Sequence, residues 1–351
     1  MGKLKGLSLN TRGLKNEFKR CSVFNWLLKQ KQDFYFLQET HSEVDNETKW
    51  KIQWGHNIIY SHGTNNSAGV AIMLSSQQDI EIEHIEKDKM GRVLLAKIKY
   101  NGTDDYVLVN IYAPTKKNIA IQLQFVETLL AILEPYQGEN IIIGGDWNTI
   151  MTDSLDKRGG LREPPTKYQI HLHKFIESFQ LSDVWREHHP SEHIYTWRQN
   201  TPYVETRLDF WLVSQFITPI SNTNILPDKV KTDHKAITIT ITFPNHTPRG
   251  PGYWKFNNQL LVDSEYTYQI KQLLIQLKGQ YDNTEDAGLI WDIIKCRIRG
   301  YTIEFSKYKS RAKQQNEKLL QKQQTKLSEN LNIFPNNTYI QDKLLTVQNE
   351  L

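Results

Sequence analysis

The stretch IIIGGDWNTI, residues Ile141 to Ile150, decides how the chain is read. Three branched apolar residues run into Gly144 and Gly145, and Asp146, Trp147 and Asn148 follow at once. The run predicts a buried strand ending in a carboxylate and, two residues on, a carboxamide. Groups at i and i+2 of an extended segment project the same way. Glycines at a strand's end admit another backbone or a ligand. The C-terminal mouth of a strand is also where α/β sheets present functional groups. An Asx turn closing a strand gives the same local pattern, so the reading turns on whether other strands end alike.

They do. DFYFLQE (Asp33–Glu39) delivers Glu39, YVLVNIY (Tyr106–Tyr112) delivers Tyr112 ahead of Pro114, and GLSLN ends a first strand in Asn10. LDFWLVS (Leu208–Ser214) carries Asp209 at its start, and Asp233 and His234 precede AITITIT (Ala236–Thr242). If those last two strands run antiparallel to the others, all these groups share one edge. AGVAIML (Ala68–Leu74) and VLLAKIKY (Val93–Tyr100) also read as strands, and several of the set alternate, so one face is covered. Helical periodicity marks FKRCSVFNWLLKQ, IAIQLQFVETLLAIL and KYQIHLHKFIESF. Many strands with helices between them predict a two-sheet α/β sandwich over residues 1–243.

The texture then changes. A Pro/Gly/Asn-rich segment places a linker at 244–258. Residues 259–331 read as a basic helical hairpin with coiled-coil character, and 332–351 as a flexible tail. Trp291, Ile294, Ile298, Tyr301, Phe305, Tyr308, Ala312 and Leu319 fit a heptad seam. Arg299 to Lys326 holds eight basic and two acidic residues, so +6 of a net +4 is local and the remainder is near −2. That helix is a packing stripe first and a contact for RNA or DNA second.

Composition narrows the class. The chain has 351 residues, 38% hydrophobic and 23% charged, ordinary for a soluble globular protein. The reading expects no apolar run of membrane-span length, no targeting signal and no membrane partner. Two cysteines, Cys21 and Cys296, make neither a disulfide framework nor a zinc pattern, which points to a reducing intracellular setting. Hard oxygen ligands such as Glu39 suit Mg²⁺ or Mn²⁺. Carboxylates around one histidine, with amide and hydroxyl donors, suit phosphodiester hydrolysis: a divalent ion neutralises phosphate, a base makes hydroxide, and uncharged donors hold the transition-state charge.

In chain order SLNTRGL, FLQETH, NIYAPT, IGGDWNT, YTW, RLDFWLVS and TDHKAI resemble the endonuclease/exonuclease/phosphatase superfamily over roughly residues 4 to 243. Within it the chain is most similar to the endonuclease domain of LINE-type non-LTR retrotransposon polyproteins, an abasic-endonuclease-like branch. RGPGYWKFNNQLL, the W-D-x-x-K helix and IEFSKYKSR are similar to the region joining endonuclease to reverse transcriptase. The chain stops before any polymerase pattern, so it reads as a polyprotein fragment or truncated copy.

The resemblance implies a DNase I-like, four-layered sandwich of two mixed β-sheets flanked by helices, then a C-terminal helical extension. It implies a Mg²⁺-dependent endodeoxyribonuclease, nuclear if it acts on a genome, that nicks duplex DNA and leaves a 3′-hydroxyl to prime reverse transcription. Its partners would be the phosphate backbone and minor groove of DNA, with no small-molecule cofactor. Carried over, Glu39 is the principal metal ligand, with Asn10 and Asp233 beside it. Asp146 orients water, Asn148 and His234 hold phosphate, Asp209 orients His234, and Tyr112 serves phosphate or leaving group. Thr196 matches a phosphate-contacting position, and Lys157 or Arg158 would reach the minor groove. Thr232 stands where relatives carry serine, and Thr152–Gly160 departs from the pattern. A phosphatase or lipid phosphodiesterase, an abasic-site endonuclease and an inactive transposon-derived binder remain alternatives.

Overall fold

Period-two apolar strands build two sheets around a shared core. The structure is a computed structural model. It describes residues 2–243, except 65–66, 76–79, 103, 116–117, 162–163, 200, 218–219 and 228–229, and residues 256–350, except 282–285 and 334–336. These fall into two compact units, divided between Pro248 and Arg249. The linker expected at 244–258 lies outside the described residues from 244 to 255.

In the first unit the strands are β1 (Gly2–Asn10), β2 (Phe34–Gln38), β3 (Ile58–Ser61), β4 (Val70–Leu74), β5 (Ile80–Lys87), β6 (Val93–Tyr100), β7 (Asp104–Tyr112), β8 (Ile141–Asp146), β9 (Lys157–Arg158), β10 (Leu181–Asp183), β11 (Trp197–Gln199), β12 (Val204–Thr206), β13 (Asp209–Ser214), β14 (Ile220–Ile225) and β15 (Ile237–Phe243). The helices are α1 (Glu17–Gln30), α2 (Glu47–Trp54), α3 (Ile119–Leu133), α4 (Asp153–Asp156), α5 (Lys167–Ser178) and α6 (Val184–His188).

One sheet has the order β14-β15-β1-β2-β4-β3 and the other β10-β13-β8-β7-β6-β5. Both are mixed: β1 is parallel to β2, and β7 to β8, while β15 and β13 run antiparallel to β1 and β8. That antiparallel pairing is what puts the starts of the last strands beside the ends of the earlier ones. Residues on alternate positions meet between the sheets, with Phe34, Phe36, Leu94, Ile98, Leu108, Ile142 and Trp211 in one core cluster. The opposite parity packs outward. Tyr35 and Leu37 meet Phe24 and Trp54 of α1 and α2, whereas Ile141 and Ile143 meet Phe125, Leu129 and Phe175 of α3 and α5. The four-layered, DNase I-like sandwich is thus as expected. A third sheet, β11-β12-β9, is too short for any periodic pattern to announce.

One expectation is corrected. Ile119–Tyr136 is long and apolar enough by composition to cross a bilayer. In the fold it is the helix covering the second sheet, with Phe125, Val126, Leu129 and Leu133 buried against that sheet.

The glycines of the opening stretch have separate reasons. A Cβ on Gly144 would lie 2.2 Å from the Trp211 ring. Gly145 has φ +149°, and its Cβ would lie 2.0 Å from the Ile111 carbonyl oxygen. Both keep β8 close to its neighbours immediately before Asp146.

The second unit contains α7 (Ser264–Gln280), α8 (Ala287–Ile333) and α9 (Thr338–Glu350). Its core is small: Leu260, Tyr266 and Phe305, with Phe256, Ile270 and Tyr301 against them. Tyr266 and Thr302 share a 2.6 Å hydrogen bond, and Lys309 bridges Asp263 and Glu265 at the start of α7. The heptad seam is buried only near Phe305, while Trp291, Tyr308 and Leu319 stay exposed. α7 spans ~25 Å against ~70 Å for α8, so it covers only part of that face. Within the segment read as a flexible tail, Thr338–Glu350 forms α9, whose apolar Ile340, Leu344 and Val347 recur at helical spacing.

Candidate active site

Register alone assembles the rim. Asn10 pairs with Gln38, Tyr112 pairs with Asp146, and Asp146 pairs with Asp209. Glu39 and Asn148 follow their strands with φ +48°, a left-handed turn that redirects each side chain as its strand ends.

Asn10 is the hub. Its fully buried carboxamide donates to Glu39 Oε1 and to Asp146 Oδ2, both at 2.9 Å. Asp146 also accepts from the Asn148 N–H at 2.9 Å and from Asn148 Nδ2 at 3.3 Å, while Asn148 donates to the Ala113 carbonyl at 2.8 Å. The opening carboxylate and carboxamide therefore do form an Asx-type turn, and that turn faces the cluster. His234 lies with Nδ1 2.8 Å from Asp209 Oδ2 and Nε2 3.8 Å from Asp146 Oδ2. Tyr112 stands close to Glu39 and Asp146, and Arg92 lies over its ring at 5.2 Å. Thr232 donates to the Asn10 carbonyl at 2.8 Å and accepts from the His234 N–H at 3.4 Å, tying the first strand to the last motif.

Burial shapes the electrostatics. It raises the Asp146 carboxyl above the usual carboxylate range, against the pull of His234. Burial also disfavours a charged His234, but the Asp209 and Asp146 carboxylates outweigh it and hold the ring as an imidazolium. Tyr112 is pushed far up, first by burial and then by Glu39 and Asp146, so it stays a hydroxyl donor.

The remaining expected residues sit elsewhere on or near this rim. Asp233 is one-third exposed and faces Arg12 at 3.4 Å and the Trp197 indole N–H at 3.3 Å. Thr196 is buried, and its hydroxyl accepts the N–H groups of Leu208 and Asp209 at 3.0 and 3.1 Å, so it fixes the strand carrying Asp209. Lys157 donates to the Leu161 carbonyl, and exposed Arg158 lies 3.6 Å from Glu205. Both occupy β9, in the third sheet, whose β11 bridges to His234 through Trp197.

The donor chemistry fits a hard divalent cation. Glu39 offers a half-buried carboxylate at the mouth, Asp146 a buried one, and Asp209 Oδ1 is buried with no hydrogen-bond partner among the described residues. Asp146, Asp209 and His234 place ligand atoms within 4.8 Å of one another. In that trio both imidazole nitrogens face carboxylates, which favours a held proton over coordination.

A model of the endonuclease/exonuclease/phosphatase family matches residues 7–234. The chain belongs to that family. Its members are typically hydrolases acting on phosphodiester bonds. The Transposon TX1 uncharacterized 149 kDa protein of Xenopus laevis is 28% identical over 306 residues, which cover 86% of this chain and 23% of that protein. The chain thus spans about a quarter of that transposon protein's length. Three solved structures share the fold. They are the AP endonuclease LMAP from Leishmania major (TM-score 0.57, 16% identity, 69% of this chain and 88% of that one), the Xenopus laevis APE2 catalytic domain (0.55, 21%, 67% and 91%), and the 3′ phosphatase NExo from Neisseria bound to product DNA hairpin (0.54, 18%, 68% and 100%).

Two supports of this family site escaped the motifs. Beneath the rim, fully buried Gln38 donates to Ser8 Oγ at 3.0 Å and to Asn110 Oδ1 at 2.6 Å, and Asn110 donates to the Leu37 and Ala71 carbonyls. This polar bridge locks the sheets together below Asn10 and Tyr112. Beside it, Asp156 takes Arg207 Nε at 2.8 Å and Arg186 at 2.5 Å, while Arg207 also reaches Asp183 at 2.6 Å. Arg207 lies two residues before Asp209. Polar residues inside apolar runs, Gln38 in FLQET and Asn110 in VNIY, were the available signal.

Proposed function

We propose that this chain is a divalent-metal-dependent DNA endonuclease that nicks one strand and leaves a 3′-hydroxyl. One observation carries the reading: Glu39, Asn10, Asp146, His234 and Asp209, far apart in sequence, form one connected polar chain at a common rim. Glu39, with Asn10 and Asp233 beside it, would hold Mg²⁺, and Mn²⁺ would serve. Such a cation, when bound, neutralises phosphate charge and stabilises the leaving oxygen.

The protein's own groups account for the remainder. Asp146, pushed up by burial and fixed by Asn10 and Asn148, takes a proton from the attacking water. Water oxygen bonds to phosphorus, the bond to O3′ breaks, and the products are a 5′-phosphate and a 3′-hydroxyl. The His234 imidazolium, held by Asp209, and the Asn148 amide offset charge building on the phosphate oxygens. The Tyr112 hydroxyl donates at the leaving side. Arg12, 67% exposed on the rim, offers the backbone a guanidinium. In a transposon-derived chain the 3′-end would prime reverse transcription.

Supercoiled plasmid is the test. Wild type converts it to open circle in Mg²⁺ and not in EDTA, and Glu39→Ala loses the activity. No nicking of plasmid or AT-rich duplex, or an unchanged Glu39→Ala rate, overturns the proposal. Faster cutting of an abasic duplex than of an intact one redirects it to abasic sites. DNA binding without nicking in Mg²⁺ favours an inactive binder.

A further inference from the structure

The basic half of α8 has no part in that chemistry, yet its charges are ordered. At 100° per residue, Lys307, Arg311, Lys318, Lys322 and Lys326 fall within an arc of about 100° on one face of the helix. All five are exposed, and no acidic residue shares that arc between Lys307 and Lys326. Glu304 lies on the same face just before the row. The buried Thr302 and Phe305 lie on the other side, against α7. The row runs ~28 Å along a single unbroken helix, with steps of ~6 Å (four residues) and ~10 Å (seven residues).

We infer that this row is a second binding surface, for the phosphate backbone of duplex DNA. This rests on the nuclease reading of the first unit. Charge complementarity selects a polyanion, since five like charges on one face oppose pairing with a second copy. Long, flexible cations spaced along a straight rod suit phosphates rather than base edges. Of the helix's exposed aromatics, Trp291 lies outside the arc and Tyr308 stands at its edge between Lys307 and Arg311, so the row lacks the series of stacking aromatics that single strands use. The surface adds sequence-independent affinity to the cutting site.

The test uses the full chain in EDTA, so that no cleavage occurs, and a fluorescent duplex read by anisotropy over a salt series. A variant with Lys307, Arg311, Lys318, Lys322 and Lys326 all changed to Gln is compared with one that swaps Lys and Arg at the same positions. Five lost phosphate contacts lower the slope of log K against log salt by about 4, and affinity at low salt by tenfold or more. The charge-keeping variant retains both, and circular dichroism controls for loss of helix. An unchanged slope in the Gln variant overturns the inference. So does an effect confined to RNA or single-stranded DNA of equal length, or a fall in oligomer mass with DNA affinity intact. Glu39→Ala separates the two proposals: it abolishes nicking in Mg²⁺ and leaves the salt slope untouched.

Discussion

Adding one methyl group to Gly145 tests why the rim is where it is. In Gly145→Ala the new Cβ would stand 2.0 Å from the Ile111 carbonyl oxygen, a backbone atom that no rotamer change can move. The φ of +149° is also one that an L-residue rarely adopts. Backbone strain of this kind costs ~1–3 kcal/mol and overpacking a further ~1–3 kcal/mol, so the loss should be about 2–6 kcal/mol. Gly144→Ala meets the Trp211 ring at 2.2 Å without a φ penalty, and should lose about 1–3 kcal/mol. The two also differ in remedy. Trp211→Phe shortens the obstructing ring and should recover part of the Gly144→Ala loss, but none of the Gly145→Ala loss. Urea unfolding of the two singles and two doubles measures this. Nicking assayed well below the melting point should fall more in Gly145→Ala, because Ile111 pairs with Gly145 one step before Tyr112 pairs with Asp146. A Gly145→Ala loss below 1 kcal/mol, or smaller than that of Gly144→Ala, would refute the reasoning.

Two further outcomes are expected. In the first, Asp209→Asn removes the carboxylate on His234 Nδ1, so the imidazole titrates lower than in wild type, as NMR of the ring would read. His234 is raised in the folded protein to about 10 from the ordinary 6.5, so its contribution to stability is full below 6.5 and is lost as pH rises toward 10. The stability gap between wild type and Asp209→Asn should therefore narrow across that window; a gap constant with pH contradicts the assignment. In the second, Asp156→Asn leaves the buried Arg207 guanidinium with Asp183 as its remaining carboxylate and should destabilise by ~1.5–3 kcal/mol at neutral pH. Burial disfavours the Asp156 anion, but Arg207 and Arg186 outweigh it and depress the carboxyl. Its stabilisation is thus present above the ordinary carboxylate range and lost as pH falls through the lower folded value, so an Asp156→Asn curve parallel to wild type from pH 7 down to 3 would contradict this.

Strands whose apolar face is buried were legible, because burial forces period two: DFYFLQE, VLLAKIKY and IIIGGD each became a strand within a residue or two. Strand β5, IEIEHIEK, was missed because an edge strand exposes most of its side chains, and ISNTNI in β14 because it is mostly polar. Strands β9, β11 and β12 have two or three residues, too few to show any period. In the candidate site, the strand-end residues were legible as motifs and their meeting followed from antiparallel closure. The hydrogen bonds were not. Nothing in SLN says that Asn10 donates to two carboxylates at once, and nothing in YTW says that the Thr196 hydroxyl faces inward to a backbone. Motifs report residue type, whereas donor direction depends on tertiary register.

Register also explains why the site stands at this end of the sandwich. The inward-facing column of β1 reads Leu4, Gly6, Ser8, Asn10, and that of β2 reads Phe34, Phe36, Gln38. In β7 it is Leu108, Asn110, Tyr112; in β8, Ile142, Gly144, Asp146; and in β13, read backwards, Val213, Trp211, Asp209. Every column passes from apolar to polar toward the same edge. Buried amides are costly unless paired, and here the Gln38 amide N–H groups reach Ser8 in their own sheet and Asn110 in the other, while Asn110 donates to two backbone carbonyls. That layer is a polar floor between the core and the rim. It lets Asn10 and Asp146 stay buried and fixed while Glu39, turned outward by its positive φ, remains open to a ligand. A site drawn from five strands needs each strand to stop being hydrophobic at the same height, and the shared register is what sets that height.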